Sequence, residues 1–160
     1  MPNTTQSGPV LGRRQLLVAG GAGLLAAGAV TLSTREAAAS AADSETAIKK
    51  LIGDARPKEG KVTLKLPQIA ENGNTVPFTV VVDSPMNEKD FVKAIHVMAD
   101  GNPSPGVASF LLGPKAGKAE VSMRMRLAQT QDIRAYAVMS DGQVFMAKQE
   151  IKVTIGGCGG

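Results

Sequence analysis

Between Val62 and Ile155 apolar and polar residues alternate with a period of two, and that period commits most of the chain to β-strands. Val62, Leu64 and Leu66 alternate with Lys61, Thr63 and Lys65; Phe78, Val80 and Val82 enclose Thr79 and Val81. Residues 91–99 and 107–112 are apolar runs. Val121, Met123, Met125 and Leu127 then alternate with Ser122, Arg124 and Arg126. Residues 133–139 make a sixth strand, and Phe145, Ala147, Ile151, Val153 and Ile155 mark one face of a long seventh. Asn72-Gly73-Asn74, Ser84-Pro85, the Gly/Pro-rich residues 101–106, Gly113-Pro114 and Asp141-Gly142 punctuate the strands. Asp141-Gly142 is the strongest hairpin signal, because the tight turn that joins twisted strands needs positive φ angles. Short strands at this spacing predict an all-β fold, an immunoglobulin-like antiparallel β-sandwich of about seven strands.

A short N-terminal helix is expected before the sandwich, over residues 42–55. Ala47, Ile48, Leu51 and Ile52 fall at helical spacing, Ser40 or Asp43 is available as N-cap, and Gly53 stands near the exit. Helix and linker together occupy residues 40–60, and the sandwich residues 61–155. Two strands are apolar on both faces. In the first, Phe91, Ile95 and Val97 form one face and Val92, Ala94 and Met98 the other, with His96 among them. A sandwich strand needs only one buried face, so the N-terminal helix or another protein must cover the second. A partner subunit is the expected cover. The chain has no tryptophan and only one cysteine, so an internal disulfide is excluded and methionines and β-branched residues must fill the core.

Residues 1–39 read as an export signal. Arg13-Arg14-Gln15-Leu16-Leu17 precedes an uncharged, Gly- and Ala-rich run, and Ala37-Ala38-Ala39-Ser40 supplies small residues for cleavage. A membrane anchor is the competing reading. Arg13 and Arg14 resemble a twin-arginine (Tat) signal, although Gly12, Leu16 and Val18 depart from its usual pattern, so the general secretory route stays open. Either route places the mature chain in the periplasm. Without Arg13, Arg14, Arg35 and Glu36, the 18 basic and 14 acidic residues fall to 15 and 13, which makes no case for nucleic acid.

The chain closes on Ile155-Gly156-Gly157-Cys158-Gly159-Gly160. A structural cysteine is normally surrounded by residues that pack, whereas this one is flanked by residues without side chains. The expectation is a leash, residues 156–160, that carries a thiol on Cys158. Three residues beyond Ile155 span at most about 10 Å of backbone. A Cys158/His96 nucleophile–base pair is disfavoured, because a leash holds no fixed distance. His96 with Met98, and Met123 with Met125, are more readily core residues than copper ligands. Lys115, Lys118, Arg124 and Arg126 read more readily as a solvated face than as a guide for anions. No catalytic residue, metal site or resident cofactor is expected.

With these residues in hand, the chain resembles the SoxY family of sulfur-oxidation carrier subunits. The family's terminal Gly-Gly-Cys-Gly-Gly is intact at residues 156–160. Similar stretches include Pro57-Lys58-Glu59-Gly60-Lys61, residues 66–73, Val82-Asp83-Ser84-Pro85-Met86, Gly101-Asn102-Pro103, Met139-Ser140-Asp141-Gly142 and Val153-Thr154-Ile155. The resemblance implies a non-enzymatic carrier that binds sulfur intermediates of thiosulfate oxidation covalently on Cys158. Gly156, Gly157, Gly159 and Gly160 would form a swinging arm. It further implies a heterodimer with SoxZ and service to haem, manganese and, in some systems, molybdenum enzymes. The alternative is a periplasmic recognition or adhesion sandwich whose Cys158 forms a disulfide-linked dimer.

Overall fold

The computed structural model describes residues 41–157. Helix α1 spans Ala41–Ile52, close to the expected bounds. Gly53, at φ 65°, ends it, and its N–H donates to Lys49 O. Nine strands follow: β1 Lys58–Glu59, β2 Val62–Lys65, β3 Ile69–Asn72, β4 Val76–Val82, β5 Val92–Ala99, β6 Gly106–Leu111, β7 Glu120–Met125, β8 Gln131–Met139 and β9 Val144–Ile155. A turn of 3-10 helix, Pro114–Ala116, lies between β6 and β7.

The strands form two sheets. One runs β1-β9-β8-β5-β6, with β3 also paired to β9; the other runs β2-β4-β7. Seven strands are those expected from the alternation and the apolar runs. The two additions, β1 and β3, are short and pair parallel to β9, Lys58 opposite Phe145 and Asn72 opposite Ile155. The sandwich is therefore antiparallel apart from these two pairings. β1 falls in the expected linker and has no buried residue, so no pattern announces it.

The main core lies between the sheets. Val76, Phe78, Val80 and Val82 point into it from β4, while Pro77, Thr79 and Val81 alternate outward. Ile95 and Val97 of β5 and Ile133, Ala135 and Ala137 of β8 meet them from the larger sheet. Val92 joins the same core, contrary to the face expected for it. The register slips between Val92 and Ala94, and this bulge puts Val92 on the side of Ile95. The Asp141-Gly142 hairpin forms as expected: Gly142 has φ 85° and Met139 N–H donates to Gln143 O.

The second face of β5 has a cover within the chain. Ile48 of α1 packs with Met98, Tyr136 and Val144, flanked by Ala47, Ile52, Val138 and Met146. The expectation that a partner covers Met98 is thereby corrected: Met98 is 1% exposed beneath the chain's own helix. Arg134 pins that helix. It forms an ion pair with Glu45 of α1, and its Nη2 lies 2.7 Å from Asp100 Oδ1. Burial alone would weaken the guanidinium's hold on its proton, but the two carboxylates outweigh burial and keep Arg134 charged. Uncovered by the helix, Leu111 on edge strand β6 is 83% exposed.

Candidate functional site

The end of β9 is a junction of three backbone segments. Gly73 N–H, in the β3–β4 turn, donates to Ile155 O at 2.7 Å. Leu127 N–H, in the β7–β8 loop, donates to Gly73 O at 2.8 Å, and Gly157 N–H donates to Leu127 O at 2.9 Å. The three bonds link turn, loop and chain end in a closed circuit. Val153 N–H adds a fourth tie, to Thr130 Oγ1 at 3.0 Å.

Such close approach requires glycine for lack of room. A Cβ on Gly156 would lie 2.1 Å from Ala128 O, and one on Gly73 would lie 2.2 Å from Leu127 O. At Gly157 it would stand 3.0 Å from both Gly73 O and Asn74 Oδ1. Neither Gly156 nor Gly157 has a positive φ, so the constraint here is space rather than backbone conformation. The leash expected to leave the fold at Gly156 is therefore held to the domain through Gly157, which is buried. Cys158, Gly159 and Gly160 lie outside the described residues, as do Arg13 and Arg14 and the rest of the expected export signal.

A buried amide network supports the junction from behind. Asn102 Nδ2 donates to Arg126 O at 2.8 Å, and Asn102 Oδ1 accepts from Ala128 N–H at 3.0 Å. One side chain thus clasps both flanks of Leu127, whose carbonyl receives Gly157. Gln131 Nε2 donates to Asn102 Oδ1 at 2.9 Å, and Gly101 N–H donates to Gln131 Oε1 at 2.7 Å. Asn102 and Gln131 are 5% and 7% exposed. Gly101-Asn102-Pro103 and Asn72-Gly73 stand out in the sequence as turns and as points of resemblance. That both close on the chain end depends on pairings between distant residues, which no local pattern displays.

His96 is remote from this junction. It lies opposite Tyr136, which lies opposite Met146, nine residues before Ile155 on β9. That separation is roughly 30 Å of strand. The three residues beyond Ile155 span at most about 10 Å of backbone, so His96 is out of reach as a base for Cys158 of the same chain. Its Nδ1 lies 2.8 Å from Ser109 Oγ, and burial lowers its pKa from 6.5. Met98 and Met125 are core residues, and Met123 is half-exposed on edge strand β7. Lys115, Lys118, Arg124 and Arg126 are all exposed. Among the described residues no group of three or more His, Cys, Asp or Glu side chains is placed to hold a metal ion. No helix among them is long and apolar enough to cross a membrane.

The family model for sulfur oxidation protein SoxY matches residues 48–158, from the middle of α1 to the cysteine. The chain belongs to the SoxY family. Its structure is similar to that of the sulfur carrier protein SoxY from Chlorobium limicola f. thiosulfatophilum, at 37% sequence identity and a TM-score of 0.62. That match covers 72% of this chain and all of the other. The superoxide reductase (neelaredoxin) of Ignicoccus hospitalis matches with a TM-score of 0.53 at 17% identity, over 76% of this chain and 98% of its own. At that identity the likeness speaks for the sandwich fold alone. No curated protein sequence matches the chain. SoxY is a family of sulfur carrier proteins.

Proposed function

We propose that this protein is exported to the periplasm by its first 39 residues and there carries sulfur intermediates of thiosulfate oxidation on the thiol of Cys158. The observation that carries this reading is the place of that residue. It is the chain's one cysteine, it ends the family match, and it directly follows a buried, hydrogen-bonded glycine. Gly157 is hydrogen-bonded to the domain, and the residue that follows it is the one another protein's active site must engage. The glycines on either side of Cys158 add no side-chain bulk, which suits entry of the residue into a confined pocket.

The chemistry belongs to the partners. Loading joins the thiol sulfur to the sulfane sulfur of thiosulfate; the thiol loses its proton, and two electrons pass to a haem enzyme. Hydrolysis by a manganese enzyme then adds water across the S–SO₃ bond, releases sulfate and leaves a persulfide on Cys158. In some systems a molybdenum enzyme oxidises the remaining sulfur. This chain supplies the attachment point and no cofactor of its own. A SoxZ-type subunit completes a heterodimer. Exposed Leu111 on edge strand β6 is one place for it, since the helix already occupies the face over Met98.

The competing recognition sandwich with a Cys158–Cys158 disulfide makes a different prediction. Intact mass after isolation without reductant should show monomers bearing sulfur or thiosulfonate adducts. A quantitative disulfide dimer without adducts would remove the carrier reading.

A further inference from the structure

We propose that Asn102 and Gly73 are positioning residues for the Cys158 thiol. They make the first half of the terminal glycine motif a fixed base rather than part of a free tether. The inference rests on Cys158 being the carrier residue, and it concerns how that residue is presented.

The glycines before the cysteine are the least suited residues in the chain to hold a fixed position by themselves, since they carry no side chain to pack. The structure supplies the missing restraint from outside. Gly73 contributes its N–H to Ile155 O and its carbonyl to Leu127, so it ties the last strand residue to the β7–β8 loop. Its lack of a side chain lets Leu127 O stand where a Cβ would be, 2.2 Å from the ideal position. Asn102 acts on the other side of the loop. It bonds Arg126 O and Ala128 N–H together, and so aims Leu127 O at Gly157 N–H and Ala128 O at Gly156. Gln131 leaves Asn102 little freedom, because it bonds the same Oδ1 and also Gln129 O.

A carboxamide is required at Asn102, because the clasp needs one donor and one acceptor on a single short side chain. Aspartate would turn a carboxylate oxygen towards Arg126 O and repel it. Alanine would leave Ala128 N–H and Arg126 O without their partner.

With Gly157 held, the tether to the thiol starts at Gly157 rather than at Ile155, which shortens its possible reach by two residues, about 7 Å. A processing enzyme must then bring its active site up to the rim formed by the β3–β4 turn and the β7–β8 loop. If the tether were free from Ile155, the thiol would reach roughly 10 Å and no such approach would be needed. The base also reduces the number of orientations in which the thiol is offered, and a presentation-competent fraction multiplies apparent affinity directly.

Backbone ¹⁵N relaxation tests the base without reference to sulfur chemistry. Gly157 should show an order parameter of about 0.85, like the residues of β9, and not a value below about 0.6. Asn102→Ala should lower the Gly157 value while β4 and β5 keep theirs. If Asn102→Ala does not fold, Thr130→Val, which removes only the tie to Val153 N–H, should produce a smaller loss at Gly157. A mobile Gly157 in the wild type overturns the proposal whatever Cys158 carries.

Turnover supplies the second arm. Asn102→Ala should raise the KM of the sulfate-releasing enzyme for the loaded protein by about tenfold, equivalent to about 1.4 kcal/mol, with kcat and alkylation by iodoacetamide unchanged. An unchanged KM with a loosened Gly157 would refute positioning and leave the carrier assignment standing. Turnover by Cys158→Ser would refute the carrier assignment itself.

Discussion

The two ends of β9 are held by opposite means. At its start, Val144 is sealed beneath α1 with Ile48, Met98 and Tyr136, half-buried Met146 packs against them, and the Arg134 ion pairs lie at the side. At its end, Ile155 and Gly157 are held by backbone bonds to Gly73 and Leu127, where a Cβ on Gly156 would meet Ala128 O. The first end gains its free energy from buried apolar area, which grades with side-chain size. The second gains little energy and much definition, since each neutral hydrogen bond contributes only about 1 kcal/mol net but fixes a direction. Damage to the helix end should therefore appear as lost stability. Damage to the glycine end should appear as lost geometry with the fold intact.

The sharpest way to break this contrast is a charge at the helix end. Met98→Asp would bury an unpaired carboxylate under α1 and should destabilise the protein by about 4–5 kcal/mol, read as a lower urea midpoint. Leu111→Asp, on an exposed site, should change the midpoint little. Equal effects at the two positions would mean that α1 does not cover Met98 in solution. Arg134→Ala comes next, at about 3 kcal/mol, because it strands Asp100 near the helix and removes packing against α1. Glu45→Ala should be far milder, since its carboxylate is mostly exposed and solvent can replace the pair.

At the other end, Gly156→Ala should cost about 1–3 kcal/mol as the loop is forced away from the new methyl group. The signature that separates it from the helix variants is local: faster amide exchange at Gly157 and Leu127, with protection retained in β4, β5 and β8. A uniform loss of protection would place the junction within the global unfolding unit and erase the contrast.

The smallest effect expected is a pH dependence at His96. Burial lowers its folded pKa below 6.5, so the folded histidine stays neutral where the unfolded one takes up a proton. Stability should hold above pH 6.5, fall as pH drops from there towards the folded pKa, and level off below it. His96→Gln should flatten that part of a urea-midpoint profile taken between about pH 7.5 and 5.5. A profile of unchanged slope would show that His96 is solvated in the folded protein.

Much of this was legible in the sequence, for a physical reason. Where one face of a strand is buried, alternation must appear, and β2, β4, β7, β8 and β9 follow from it; β5 and β6 show as apolar runs, and the hairpin as its Asp141-Gly142 turn. β1 and β3 escape because they are held by pairing with β9 rather than by burial; only Ala70 among their residues is buried. The cover over Met98 was misjudged because an apolar face states that it is covered and not by what. The glycine motif was legible as chemistry, a thiol with narrow neighbours, but its anchorage was not. The partners of Gly156 and Gly157 lie some 30 to 80 residues earlier in the chain, at Ala128, Leu127 and Gly73, and glycine leaves no periodic trace.

The site of sulfur attachment decides whether Cys158 is the carrier residue. Wild type and Cys158→Ser should be incubated with thiosulfate and the haem-containing loading enzyme, digested without reductant, and mapped by mass. We expect a thiosulfate-derived adduct on the wild-type C-terminal peptide alone, with Cys158→Ser folded, unmodified and unable to support sulfate release. An adduct on any other residue, or sulfate release from Cys158→Ser, would contradict the assignment.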